Sequence, residues 1–531
     1  MPVATTGSAV PTSTAARVSR LVSWALIGLL TLLLVEVLFE AWIQIRLGTT
    51  WVNQDGDVEA DLPQWPKALK NGIYITLAVL SVAKVALDRR WREFTTKADV
   101  ALVVLAVVLA VAGLVAGSGL TLTAEGVYVY LRGVIVFYAW RALAPPLRWV
   151  RPVLMLLGGI VAANAVLAVG QSLLGKESYR ALGWVDLTWA KIHRAHALLD
   201  HPNHLGHVLG FAVLGMMAWF VTRRDRPEAR WWLLFGLLAF GLSATQSRES
   251  VIAALAGGGL IWVLRRGRGR IMAVCLLIVA ALFAAQVSLR PANRVELQRR
   301  LAGVLMALHI GSGEEPEGAC VQGNPDCTDD QPQIPQREIR ILFAQQGVRL
   351  WLRSPIIGYG VGQFGGIVAH KHDPNWNMDP RFGPNGFNMY GFDVQQVDSF
   401  WLHLLVETGV AGVLAYLVWL LFLALPLRRA LPEGRRDRIR GPTQPGSPFT
   451  YWALASLLFA VLVAALSPSL EDPLLPALLF TIVGLAWVDL RRPLLPAGTP
   501  AGTPGPEPGD TTARSGKAEG GDVPPRAALA P

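Results

Sequence analysis

Apolar blocks of about 15–25 residues recur along this 531-residue chain, and that recurrence constrains its fold more than any other feature. A helix needs about 20 apolar residues to cross a hydrocarbon core of roughly 30 Å. Inside lipid only a helix or a closed barrel satisfies its own backbone hydrogen bonds. The blocks predict spans over Leu21–Ile45, Asn71–Leu87, Val100–Gly117, Val127–Leu143, Pro152–Leu174, His204–Thr222, Trp231–Thr245, Val251–Leu264, Ile271–Ser288, Phe400–Leu425, Tyr451–Leu466 and Leu474–Val488. Leu21–Ile45 is too long for the apolar core of a typical signal peptide and reads as the first span. Only 16% of residues are charged, against about 25% in soluble domains.

The formal net charge of +10 is distributed as topology. Arginines cluster in every second connection: Arg89, Arg90 and Arg92; Arg148 and Arg151; Arg223 to Arg230; Arg265 to Arg270; Arg428 to Arg440. The positive-inside rule places these, and both termini, in the cytoplasm of a multi-pass membrane protein. The basic balance therefore implies no nucleic-acid partner. The expected fold is all-α, a polytopic membrane protein of about twelve transmembrane helices with one large extracytoplasmic loop between spans 9 and 10. Its parts are a cytoplasmic tail over 1–20, spans 1–9 over 21–288, the loop over 289–397, spans 10–12 over 398–490, and a disordered Pro/Gly-rich cytoplasmic tail over 491–531.

Within the large loop, Glu314 to Gln333 reads as a mobile insert in which Cys320 and Cys327 can pair, whereas Cys275 lies in an apolar block as inert packing. Arg337 to Arg353 has the pattern of an amphipathic helix lying on the outer membrane surface. Trp376 is a candidate for stacking on sugar rings. The histidines from His193 to His207 include two HxxH spacings, but no cysteine or HExxH completes a ligand set, so no metal is expected and these side chains read as the polar wall of an outward cavity. Glu36, Glu40, Arg132 and Arg141 are charges within spans, which either pair or line a path for a lipid phosphate.

Two positions carry candidate chemistry. Arg248 falls at the turn between two short blocks, at or just below the outer surface, where an arginine is costly unless it pairs with Glu249, snorkels or binds an anion. Asp398 sits where the large loop re-enters the membrane, followed by Ser399 and, after nine residues, by Gly409-Val410-Ala411-Gly412. A carboxylate there serves either as a general base or as a helix N-cap. His403, five residues on, faces elsewhere around a helix and has Glu407 as its natural i+4 partner. His370 and His372 lie in the loop, within reach of such a site.

Together these features resemble the O-antigen ligase and O-antigen polymerase-like family of membrane glycosyltransferases. The resemblance rests on the span count, the outward loop and four local patterns: Thr245-Gln246-Ser247-Arg248; His201-Pro202-Asn203-His204-Leu205-Gly206 opening a span; Arg340 ahead of Trp351 and Pro355-Ile356-Ile357-Gly358-Tyr359-Gly360; and the Asp398 stretch. The family has histidine where this chain has Asp398. The resemblance implies a polyprenyl-diphosphate-linked glycan donor, a hydroxyl acceptor on a lipid, sugar or protein, membrane lipid as the medium, and no cofactor. It implies that Arg248 and Arg340 hold the diphosphate, that Asp398 takes the acceptor proton, and that His201 and Asn203 contribute to substrate binding. A transporter, or a non-catalytic polysaccharide-assembly subunit, is the alternative.

Overall fold

The computed structural model describes residues 14–52, 58–288, 339–383, 386–387, 396–431 and 446–492, with isolated positions between 298 and 334. Each of the twelve apolar blocks is helical. The helices are α1 (Thr14–Leu47), α2 (Trp65–Leu87), α3 (Lys97–Val115), α4 (Leu120–Leu143), α5 (Leu147–Leu174), the short α6 (Lys176–Ala181) and α7 (Thr188–Lys191), α8 (Pro202–Thr222), α9 (Ala229–Ala244), α10 (Arg248–Leu264) and α11 (Gly269–Ser288). After the large loop's first part come α12 (Ile339–Arg353), α13 (Ile367–His372), α14 (Phe400–Arg429), α15 (Pro448–Val463) and α16 (Leu474–Arg491).

Among the described residues nine helices are long and apolar enough to cross a membrane: α1 to α5, α8, α11, α14 and α16. The other three expected spans, α9, α10 and α15, have 16, 17 and 16 residues. At 1.5 Å per residue they reach roughly 24–26 Å, short of a full hydrocarbon core. The expected twelve therefore divide into nine long helices and three short ones.

The surface of the bundle is what lipid requires. Val100, Val103, Val107 and Val111 stand exposed along α3, and Ile75, Val79 and Val82 along α2. In water each such side chain forgoes about 1.5–3 kcal/mol of burial. The centre is α8 and α16, whose apolar windows are 78% and 83% buried. Arg141 is accommodated inside the bundle by pairing. Its guanidinium lies 2.5 Å from Asp99 and packs over the rings of Phe94, Phe137, Tyr138 and Trp487. Asp99 also closes a capping box with Thr96 at the start of α3. Glu40 likewise pairs with Lys70.

The first helix begins at Thr14, ahead of the apolar block, because Ala15, Ala16 and Val18 continue it. In the first outward connection Thr49–Val52 (β1) pairs antiparallel with Val58–Asp61 (β2), as its β-branched and aromatic residues favour. Two expectations need correction. The amphipathic α12 does form, but its apolar face is spent on protein rather than on the membrane surface. Phe343 and Leu350 join Phe364, Phe382, Phe387, Leu402 and Val406 in one buried cluster. Trp376 belongs to that cluster and is 2% exposed, so it is closed to sugar stacking.

Cys275 is buried in α11, as its apolar setting predicts. Cys320–Val321 pairs in parallel with Gln333–Ile334, while Cys327 and most of the insert lie outside the described residues, as does the tail after Arg492.

Candidate active site

Three substructures assemble at one end of the bundle. The first is a broken helix. The run of α14 is interrupted at Gly409, whose φ of +64° and ψ of −165° leave the helical region. A Cβ there would lie 2.3 Å from the carbonyl of Ile356, so both the conformation and the space call for glycine. The break strips helical partners from backbone groups on either side, and the Pro355–Gly360 turn replaces them. Tyr359 N donates to Val406 O (2.9 Å), Gly360 N to Glu407 O (2.8 Å), and Val410 N to Pro355 O (2.9 Å). Irregular backbone at membrane depth persists only where protein satisfies it in this way.

Beneath the turn, Glu407 accepts from Phe364 N (2.9 Å) and from the Tyr130 hydroxyl (2.8 Å). His403 is 2.5 Å from Glu471. The expected His403–Glu407 pair is therefore replaced by two separate contacts. Glu407 turns toward a buried amide of the loop and the Tyr130 hydroxyl of α4, which would otherwise lack an acceptor, and Glu471 supplies the histidine's partner from the α15–α16 connection.

The second substructure is the start of α14. Ser399 is the N-cap: its hydroxyl accepts from Leu402 N at 3.3 Å. Asp398 is not the cap. Its Oδ2 accepts from Arg340 Nε, in α12, at 3.0 Å, and both side chains are about half-buried. The α12 helix reaches this position because Gly347 lets it close on Leu402: a Cβ on Gly347 would sit 2.6 Å from that side chain.

The third substructure is the turn Thr245-Gln246-Ser247-Arg248. Gln246 adopts a left-handed φ of +52°, and the turn is fastened by the preceding outward loop. Arg194 Nε donates to Thr245 O (3.1 Å), Gln246 Nε2 to His193 O (2.8 Å), and Ala195 N to Ala244 O (3.0 Å). Arg194 also donates to Asn203 Oδ1 at 2.7 Å, which joins the turn to the start of α8. There His201 is the N-cap, its Nδ1 accepting from Asn203 N at 3.0 Å. Burial, then the neighbouring His204 and Arg194, push His201 down to about 3, so it stays neutral as an acceptor. Burial also pushes His196 down to about 4.

Arg248 is the first residue of α10 and partly buried. Glu249, its proposed structural partner, instead reaches His207 Nε2 at 3.1 Å. The Ser247 hydroxyl contacts Ser250 Oγ rather than capping the helix. The arginine thus stands at a helix end whose amides and dipole favour an anion.

These substructures share the α15–α16 connection. Phe400 N donates to Ser467 O (3.2 Å), Trp401 N contacts Ala464 O (3.4 Å), and His204 in α8 contacts Asp472 (3.1 Å). The structure thus brings Asp398 and Arg340 into contact, joins His201 and Asn203 to the turn that carries Arg248, and places both groups at the same end of the bundle. His372 is held apart, on Glu125 at 2.7 Å. His370 is exposed. Among the described residues no group of three or more His, Cys, Asp or Glu is arranged to hold a metal ion. Arg194 is the fastening residue that sequence reasoning missed. It lies in a loop with no motif of its own, and its only sequence signal is a cation among the histidines of an outward connection.

Fold and site together define an integral membrane protein with an arginine- and carboxylate-bearing end. Residues 233–417 match the model of the O-antigen ligase family, and over that stretch the chain is similar to it. The matched region runs from α9 through the Arg248 turn, Arg340, Asp398 and the Gly409 break. No curated protein matches the chain significantly.

Proposed function

We propose that this protein is a glycosyltransferase at the outer face of a bacterial cytoplasmic membrane, with both termini in the cytoplasm. It moves a glycan from a polyprenyl diphosphate to a hydroxyl on a lipid, sugar or protein acceptor. The observation that carries this reading is the convergence at one bundle end of Arg248, heading a helix, with the Arg340–Asp398 ion pair.

In the reaction, the acceptor oxygen attacks the anomeric carbon. The bond from that carbon to the diphosphate oxygen breaks, and the diphosphate leaves with the electron pair. Arg248 and Arg340 stabilise its developing charge, since guanidinium is always charged and meets phosphate through two parallel donors. Asp398 receives the acceptor proton. The ion pair orders these events. A half-exposed pair contributes only about 0–1 kcal/mol, so the incoming diphosphate competes for Arg340 and leaves the Asp398 carboxylate to act as base. His201 and Asn203 shape the neighbouring wall. No nucleotide or metal enters, because the diphosphate leaving group drives transfer.

Arg248→Lys tests the reading, since it keeps the charge and loses the fork. Transfer in proteoliposomes supplied with host lipid-linked glycan should fall by about tenfold or more, the equivalent of roughly 1.4 kcal/mol. Transfer equal to wild type would remove Arg248 from the donor site.

A further inference from the structure

The α15–α16 connection carries two adjacent carboxylates, and each reaches a histidine in a different half of the site. Glu471 meets His403 Nδ1 at 2.5 Å. His403 lies in the first turn of α14, behind Asp398 and the Ser399 cap. Asp472 meets His204 Nε2 at 3.1 Å. His204 lies in the first turn of α8, beside the His201 cap and the Asn203 that receives Arg194. The proposed reaction uses neither contact.

Both contacts are closely fitted. Glu471 is 3% exposed and His403 is fully buried. Two glycines make room for them: a Cβ on Gly366 would lie 2.7 Å from Glu471 Oε2, and one on Gly365 would lie 3.1 Å from His403 Nε2. Gly365 O also accepts from Val397 N at 2.9 Å, so the same seat fixes the residue before Asp398. On the other side, His204 Nδ1 contacts Asp200 at 2.6 Å, which holds the ring between two carboxylates. The connection itself is braced. Glu471 N donates to Pro468 O at 2.8 Å, the buried Ser467 and Ser469 hydroxyls contact each other, and Pro473, with its fixed φ, leads into α16.

The packing of the bundle gives such a link its purpose. On one side α14 packs on α3 and α12; on the other α8 packs on α10. Gly206 closes α8 on the start of α10, where a Cβ would lie 2.6 Å from Ser250 Oγ. Asp398 and Arg248 therefore belong to separate groups of helices, and α15 lies between the groups and touches both. Transfer needs the reacting atoms held in near-attack geometry, and a misplacement of about 1 Å can cost about 100-fold. Two neighbouring residues on one braced turn give a short, stiff link between the groups.

We propose that Glu471 and Asp472 are positioning residues, a two-carboxylate bridge that sets the spacing of Asp398 from Arg248. The inference rests on the glycosyltransferase reading for what that spacing does, though not for the bridge itself. Alanine at either position removes one strut, whereas Glu471→Gln and Asp472→Asn keep an acceptor on a side chain of the same size. The Asp472 side chain is 20% exposed, so Asp472→Ala decides the matter if Glu471→Ala fails to fold.

In proteoliposomes each alanine variant should lower kcat by about tenfold or more. KM for the lipid-linked donor should stay within about twofold of wild type, because the donor contacts remain. The amide variants should recover part of the loss. The double alanine variant should lose no more than about twofold beyond the more impaired single variant, since one broken strut already frees the spacing. A raised KM with kcat unchanged, or losses that multiply in the double variant, would overturn the proposal.

The spacing can also be read without activity. With Cys320 and Cys327 replaced by serine, nitroxides on Ala344→Cys in α12 and Lys191→Cys in α7, both exposed, report the two halves. In the full chain in nanodiscs, double electron–electron resonance should show the distance distribution shifted or broadened by about 1 Å or more in each alanine variant. An unchanged distribution would overturn the bridge. A wild-type protein that transfers no glycan would instead sink the glycosyltransferase reading, and the nitroxide distances would then decide the bridge by themselves.

Discussion

Arg340 and Asp398 meet across 58 residues of sequence, with Nε 3.0 Å from Oδ2. This contact settles the capping question, because the next residue, Ser399, caps α14. Ser399→Ala should therefore cost about 0.5–2 kcal/mol of stability, read as a lower melting temperature in detergent, while Asp398→Ala should cost about 1 kcal/mol or less. If the two effects were reversed, the assignment of the cap would be wrong.

Gly409 holds the break that docks the Pro355–Gly360 turn. Gly409→Ala forces a Cβ against Ile356 and a side chain into a left-handed φ. The strained backbone alone should cost about 1–3 kcal/mol, and the clash adds to it. A large drop in thermal stability with loss of transfer is expected; a variant as stable and active as wild type would contradict the broken-helix geometry.

Topology has its own check. With Cys320 and Cys327 replaced by serine, buried Cys275 is the remaining thiol. In that background His370→Cys, at an exposed position of α13, should react with a membrane-impermeant thiol reagent on intact cells, and Arg429→Cys, exposed at the far end of α14, should react only after lysis. The opposite pattern would invert the orientation drawn from the arginine clusters.

Helix positions were legible because lipid demands long apolar blocks and the arginines mark alternate ends. The pairing of Arg340 with Asp398 was not, although both residues stood out singly: nothing local reports a contact across a 58-residue separation. The break in α14 was hidden for a related reason. Leu405-Val406-Glu407-Thr408-Gly409-Val410 reads as uninterrupted helix, and only the docked turn makes a left-handed glycine favourable. Sequence periodicity identified α12 as amphipathic but could not say whether lipid or protein covers its apolar face, since both are apolar. The same ambiguity misplaced Trp376, and the i+4 rule misassigned His403 because Glu471 lies on a different element.

The central claim is that Asp398 acts as the base, and a single transfer assay tests it most directly. Glycan joined to acceptor, and polyprenyl diphosphate released, would be measured in proteoliposomes for wild type, Asp398→Asn and Asp398→His. Asn preserves size and hydrogen bonding but cannot take the proton, so transfer should fall by roughly 100-fold or more with the fold intact. His restores a titratable base and should recover part of the activity. Wild-type transfer by Asp398→Asn would contradict the account and leave Asp398 as no more than the partner of Arg340.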